Sequence, residues 1–186
     1  FLALLIETLY RILEQYIPDK KILWLVRQIV WSFHSTALGV GLPLGNLTSQ
    51  LFVNIYMNEF DQFVKHGLRA KYYIRYADDF VLFSDDKEVL RPFGAAQGRL
   101  SLFLRERLKL VFHPDKVFLK TLASGIDFLG WVHFPDYRIL RTTTKRRMFR
   151  RLKQCADAAS VQSYLGLLGH GSTYKVREKV NEMVYF

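Results

Sequence analysis

Two adjacent carboxylates, Asp78 and Asp79, interrupt an apolar run, YYIRYADDFVLF, at residues 72–83. Carboxylates are hard oxygen ligands, and magnesium is commonly held by one or two of them together with substrate phosphates. A pair of divalent ions held this way activates an attacking hydroxyl and stabilises a leaving oxygen in phosphoryl transfer. On a regular strand, neighbouring side chains point to opposite faces, so only a turn can bring both acids near one site. The flanking aromatic and β-branched residues predict two short strands, with Ala77, Asp78 and Asp79 as turn residues. Asp is also at home in ordinary turns, so the same residues fit a hairpin without chemistry.

A second stretch is basic. From Arg138 to Lys153, RILRTTTKRRMFRRLK carries eight Lys or Arg and no acid. Met148, Phe149 and Leu152 fall at helical spacing, so one face can pack while the cations project outward. A solvated basic helix has the same pattern. Eight like charges repel one another unless a counter-ion is present, however, and phosphates supply one. The net charge of +10 over 186 residues also favours a polyanionic partner.

The remaining composition narrows the classes. A single cysteine, Cys155, excludes an internal disulfide and suits a reducing cytosol, so a cytoplasmic location is expected. The five histidines (34, 66, 113, 133 and 170) lack metal-ligand spacing. No run reaches the length of a membrane span, and no membrane partner is expected. The opening FLALLIETLYRIL is apolar but lacks a basic leader and soon acquires charges, unlike a signal peptide. It begins without Met, which predicts a piece of a longer chain.

The elements that must position these residues read as a mixed α and β order. Helices are predicted at 5–17 and 20–33, separated at Pro18 and Asp19. A Gly/Pro-punctuated loop, ALGVGLPLG, occupies 37–45. A helix follows from Thr48 to Phe63, burying Phe52, Ile55, Tyr56, Phe60 and Phe63, with Asn46 and Thr48 as capping candidates. After the hairpin comes a helix from Lys87 to Arg107 carrying Leu90, Phe93, Leu100 and Phe103. Short strands are expected at 108–112, 117–119, 126–134 and 137–140, the last two hinged on Pro135 and Asp136. Two helices, 144–158 and 160–169, close the chain. The expected fold class is α+β, a small antiparallel sheet backed by helices. A composition boundary lies near Thr142, where an apolar sheet region gives way to basic helices.

The combination of motifs is more specific than any one of them. YADD at 76–79, between apolar strands, resembles the Tyr-x-Asp-Asp hairpin of reverse transcriptases. GLPLGNLTSQLFVNIYMNEFDQFV at 41–64 resembles the segment of their palm that supports the template base and incoming nucleotide. LVFHPDKVFL at 110–119 resembles the next motif, and GIDFLGWVHF at 125–134 resembles the strand pair that grips the primer end. SYLGLLGH at 163–170 resembles the start of the thumb. The resemblance implies a partial palm over 1–141 and the start of a thumb over 142–186, with the fingers absent. It also implies RNA-directed DNA polymerase activity with two magnesium ions, an RNA template, a DNA primer and deoxynucleoside triphosphates.

The branch can be read further. Group II intron and retroviral enzymes usually carry Gln before the second Gly of the 41–64 motif and end it in Ser-Pro. Those slots here hold Leu44 before Gly45, and Ser49-Gln50, a pattern that looks like reverse transcriptases of diversity-generating retroelements. That likeness implies a structured template RNA, copied with errors at adenines, and a small basic accessory protein as partners. One departure matters. The family places a third carboxylate on a strand just upstream of this chain's first helix. Leu4, Leu5 and Ile6 stand where the later part of that region would be, and Glu7 and Glu14 belong to the helix. The chain as it stands is therefore expected to be an inactive fragment.

By that resemblance Asp78 is the shared metal ligand and Asp79 the weaker one. Gly45 lets backbone approach the nucleotide, as a residue without Cβ can; otherwise it is a loop glycine. Gln50 and Tyr76 are candidate contacts to nucleotide or template, though Gln50 also fits a helix end facing water. Lys116 neutralises phosphate or donates a proton, unless it is only a strand-edge lysine. Trp131 and Phe128 read as core. Arg146, Arg147, Arg150 and Arg151 would contact duplex backbone without sequence preference. The rival functions are a non-catalytic nucleic-acid-binding remnant of a reverse transcriptase and a cyclase of the related palm-like fold. The cyclase carries a Gly-Gly-acid hairpin, and no Gly precedes Asp78.

Overall fold

Apolar side chains at intervals of three and four build the first two helices, α1 (Ile6–Tyr16) and α2 (Lys20–Trp31). The computed structural model describes residues 6–31, 47–86, 95–155 and 157–185. Pro18 cannot continue α1, and Asp19 starts α2. Its carboxylate accepts from the N–H of Lys21 at 2.7 Å and of Ile22 at 3.4 Å, groups that otherwise lack an intrahelical partner. Helix α3 (Leu47–Gln62) runs into one π-helical turn, Phe63–Gly67. Its buried stripe is Phe52, Tyr56, Phe60 and Val64, every fourth residue, with Met57 beside it. Ile55 and Phe63, expected on that face, are only partly buried. The expected 37–45 loop with Gly45 and the capping residue Asn46 lie outside the described residues. So do 87–94 with Leu90 and Phe93, and the helix predicted there is described as α4 (Ala95–Arg107).

Packing divides the chain into two units, Phe1–Leu119 and Lys120–Phe186. In the first, α1, α2, α3 and α4 share one core that includes Leu9, Ile12, Val30, Tyr56, Phe60, Leu104 and Leu108. The Tyr56 hydroxyl donates to the Leu108 carbonyl, so the largest buried side chain in α3 keeps its one polar atom satisfied. Strands β1 (Tyr72–Tyr76) and β2 (Asp79–Phe83) form an antiparallel hairpin on this core. Tyr73, Phe80 and Leu82 face inward against it, while Tyr72, Ile74 and Tyr76 are exposed.

The second unit is a three-stranded antiparallel meander, β3 (Ile126–Phe128), β4 (Trp131–His133) and β5 (Arg138–Leu140). Three helices follow, α5 (Thr142–Gln154), α6 (Ala158–Leu168) and α7 (Tyr174–Tyr185). Trp131 and Leu140 are buried with Met148, Leu152, Val161, Leu168 and Val180. That shared core is why packing separates the chain at Leu119 rather than at the composition boundary near Thr142. Gly171 makes the closure possible, because a Cβ there would collide with the Trp131 ring and lie 2.9 Å from the Arg138 carbonyl oxygen.

Four expectations about elements are corrected. The 108–112 and 117–119 segments are not strands; Lys109 takes a left-handed φ of 51°, Leu108 closes α4, and 114–116 form a 3₁₀ turn. Their apolar residues are spent one at a time on the core or left exposed, as Val111 and Phe118 are. The 126–134 segment, read as one strand from its composition, is a pair of strands as its motif implied, because Leu129 and Gly130 both adopt positive φ (51° and 83°) and turn the chain. The last two helices begin and end earlier or later by a few residues, at Thr142–Gln154 and Ala158–Leu168. A third, α7, was not expected; its Val176, Val180 and Met183 recur at helical spacing against the second core.

Candidate active site

The hairpin turn is tighter than its sequence suggested. Tyr76 pairs directly with Asp79, so Ala77 and Asp78 alone form the turn, and Asp79 is the first residue of β2. Ala77 has φ 53°. A two-residue turn with positive φ at its first central position favours Gly there, and Ala in that conformation costs about 1–2 kcal/mol. Asp78 and Asp79 are both exposed, and Tyr76 beside them is 63 % exposed. Neither carboxylate is engaged in a hydrogen bond or ion pair among the described residues, so both are open to a ligand.

The donor set is chemically apt for magnesium: hard, anionic oxygens on one tip, with no thiol or imidazole mixed in. Among the described residues no group of three or more His, Cys, Asp or Glu could hold a metal ion. Glu7 lies on α1 beside Arg11, 3.9 Å away and exposed, and Glu14 is exposed on the same helix. The pair could hold an ion only in company with donors from substrate or from elsewhere.

Beneath the turn lies a polar network for which the motifs gave no warning. Arg75 points inward from β1, its side chain 10 % exposed. Its Nε and Nη2 donate to the two carboxylate oxygens of Asp61 on α3, at 2.7 and 2.6 Å. Its Nη1 donates to the Ala77 carbonyl at 2.8 Å and to Asn54 Oδ1 at 3.4 Å. The Tyr73 hydroxyl donates to Asp61 at 2.6 Å. Burial pushes the Asp61 carboxyl up, but the Arg75 and Tyr73 hydrogen bonds and the Arg75 charge outweigh it and hold the group below the ordinary carboxylate range. The bond to Asp61 raises Arg75 further, against its own desolvation. Burial, then the bond to Asp61, raises the Tyr73 phenol. A signal was present: Asn54, Asn58 and Asp61 fall at helical spacing on one face of α3, opposite an Arg on the inward register of a strand.

This network has a pH signature. A carboxyl whose folded pKa lies below its unfolded value contributes stability fully above the unfolded pKa, about 4, and loses it as pH falls through the folded one. Acidification below about pH 4 is therefore expected to destabilise the first unit through Asp61. Asp61→Asn should lower stability at pH 7 and reduce the further loss on going to pH 3; thermal melts at the two pH values check it.

The other expected site residues stand on separate elements. Gln50 is exposed near the start of α3, and Lys116 is exposed in the 3₁₀ turn following His113, not on a strand edge. In the second unit Arg146, Arg147, Arg150 and Arg151 lie along α5, where Met148 and Leu152 are the buried positions. Two cations of the basic run do structural work instead. Arg141 pairs with Asp127, and Arg138 lies over the Trp131 ring, 5.3 Å from its centroid, and donates to the His170 carbonyl. Trp131 is core, as its sequence context predicted.

Comparison with known proteins bears on this geometry. The family described as reverse transcriptase (RNA-dependent DNA polymerase) matches residues 4–133, which include the hairpin and α3. A Saccharomyces cerevisiae protein named for COX1/OXI3 intron 2 is 24 % identical over 124 residues, covering 64 % of this chain. The chain spans 13 % of that relative's length. With 130 consecutive positions matched, from residue 4 to residue 133, the chain belongs to the reverse transcriptase family.

Proposed function

We propose that this chain is the part of an RNA-directed DNA polymerase that carries its acid hairpin, and that the intact protein adds deoxynucleotides to a DNA primer on an RNA template. The observation that carries this reading is the two-residue turn presenting Asp78 and Asp79, exposed and without a side-chain partner among the described residues, within a reverse transcriptase family match. Asp78, at the tip, is the principal magnesium ligand, and Asp79 the weaker one. Two bound ions would activate the primer hydroxyl and stabilise the leaving pyrophosphate oxygen. Gly45, Gln50 and Tyr76 contact nucleotide or template, and Lys116 meets phosphate. By the order of the motifs residues 1–141 serve as partial palm and 142–186 as the start of a thumb, with the β3–β5 meander sharing its core with the thumb helices. The Leu44-Gly45 and Ser49-Gln50 pattern favours a diversity-generating retroelement, with a structured template RNA and a small basic accessory protein as partners. No helix among the described residues is long and apolar enough to cross a membrane. We place the enzyme in the cytoplasm on the single cysteine.

This chain alone is expected not to polymerise, because among the described residues no third metal-ligating side chain joins Asp78 and Asp79, and two-metal chemistry needs both ions in register, where misplacement by about 1 Å can cost a hundredfold. The test is magnesium-dependent primer extension by this chain and by a longer polypeptide that includes the upstream region. Extension by the longer form only is the expected result. Extension by this chain alone would refute the missing-ligand argument, and silence from both would favour a nucleic-acid-binding remnant.

The α5 arginines give an independent prediction. Changing Arg146, Arg147, Arg150 and Arg151 together to Gln should weaken binding of RNA and of RNA–DNA hybrid alike. The slope of log affinity against log salt should become shallower by roughly 0.7–0.9 for each phosphate that is no longer neutralised. An unchanged slope would return α5 to a merely solvated helix.

A further inference from the structure

We propose that Arg75 is a positioning residue for the acid pair: it fixes the backbone of the Ala77–Asp78 turn and ties that turn, through Asp61, to the rigid helix α3. The inference deepens the polymerase reading and rests on it for the role of the acids.

Three observations converge. First, the turn is in a conformation Ala resists, with φ 53° at Ala77, and such backbone persists only where its surroundings over-determine it. Second, the Ala77 carbonyl is held by a buried cation, at 2.8 Å from Arg75 Nη1. Third, that cation is itself held in a fixed plane, its Nε and Nη2 engaged by both oxygens of Asp61 at 2.7 and 2.6 Å. Tyr73 braces the same carboxylate at 2.6 Å, and Phe60 of α3 packs on Phe80 of β2 with ring centroids 4.9 Å apart. These links tie α3 to both strands of the hairpin, and the Arg75 bond to the Ala77 carbonyl carries the tie into the turn itself.

An arginine this close to an acid pair could instead be a phosphate contact. The geometry disfavours that. Its side chain is 10 % exposed, and each of its three nitrogens already has a partner in Asp61, Asn54 or Ala77. The planar fork is what lets one side chain grip Asp61 bidentately and still reach the turn carbonyl. A lysine ammonium, a point donor on a flexible stem, can pair with Asp61 but cannot hold both partners in that arrangement.

The experiment uses this chain with wild-type sequence, Arg75→Lys, Tyr73→Phe and Asp78→Asn, reading amide hydrogen exchange and the broadening of Asp78 and Asp79 resonances by Mn²⁺. In Arg75→Lys the amides of residues 77–79 should exchange about tenfold faster, while those in the middle of α1 and α4 keep their wild-type rates. Mn²⁺ with water completing its coordination binds such a pair weakly, and about tenfold more of it should be needed for half-maximal broadening in Arg75→Lys. Unchanged exchange at the turn, or equal acceleration everywhere, would overturn the proposal, the latter by showing that Arg75 only holds the fold together. Should Arg75→Lys fail to fold, Tyr73→Phe removes one hydroxyl and no charge; it should speed turn exchange about threefold, and no change would again overturn the proposal. Asp78→Asn separates the two readings: if Mn²⁺ broadening is the same without that carboxylate, the metal assignment falls, while the exchange data still decide the clamp.

Discussion

Primer extension by the intact polymerase is expected to fall on the order of a thousandfold when Asp78 is replaced by Asn, with the fold left intact. Asn keeps the shape of the side chain and its fit to the turn but carries no charge to hold a divalent ion. Loss of one group that stabilises transition-state charge typically costs about 3–4 kcal/mol, which is that factor in rate. Stability should barely move, because the Asp78 side chain is exposed and engages no other side chain among the described residues. Surface changes of that kind usually stay within about 0.5 kcal/mol. Asp79→Asn should lower the rate less, since Asp79 is the first residue of β2 rather than the tip of the turn. The measurement is single-turnover extension on an RNA template, alongside a thermal melt. Equal rates for wild type and the Asp78 variant would remove the acid pair from the chemistry.

Phe60→Ala should have the largest effect on stability, a loss of about 3–5 kcal/mol. Phe60 has no exposed surface, and its ring meets Phe80 at 4.9 Å, Tyr73 at 6.3 Å and Phe103 at 6.4 Å between centroids. Removing it opens a void at the place where α3, α4 and both strands of the hairpin converge. A domain's whole stability is roughly 5–15 kcal/mol, so much of the folded population of the first unit is at risk. Urea unfolding followed by far-ultraviolet circular dichroism measures the change. A loss under about 1 kcal/mol would mean that the cluster collapses onto the space and that the hairpin does not depend on it.

These two predictions fall on opposite sides of a division between local and distant information. The acid hairpin was legible from residues 72–83 because strand pairing across a short turn needs only neighbours: aromatic and β-branched residues on both sides mark the strands, and a short polar break sets the turn. Helices α1 and α2 were legible for the same reason, since their periodicity and the Pro18–Asp19 break lie within the segment itself. The mixed α and β class followed from those local patterns, and so did the burial of Trp131 and Met148. The family was legible from the order of several motifs along the chain.

What the sequence alone left open depends on residues far apart. LKLVF at 108–112 has the composition of a strand, yet pairing requires a partner, and Lys109 turns into the left-handed region as Leu108 closes α4. Trp131 and Leu140 could have belonged with the hairpin's core; only packing shows them buried with Met148, Leu152 and Val180, which moves the division of the chain to Leu119. The eight cations from Arg138 to Lys153 look alike in sequence, but Arg138 and Arg141 find Trp131, His170 and Asp127 while the α5 arginines lie outside the buried core. Arg75 shows the same limit at the site itself. In sequence it is one more charge beside YADD, and nothing within the strand says what it meets. A buried guanidinium is tolerated only with a carboxylate and further acceptors at hand, and Asp61, fourteen residues upstream on α3, is brought to it by the packing of Phe60 and its neighbours rather than by any local rule.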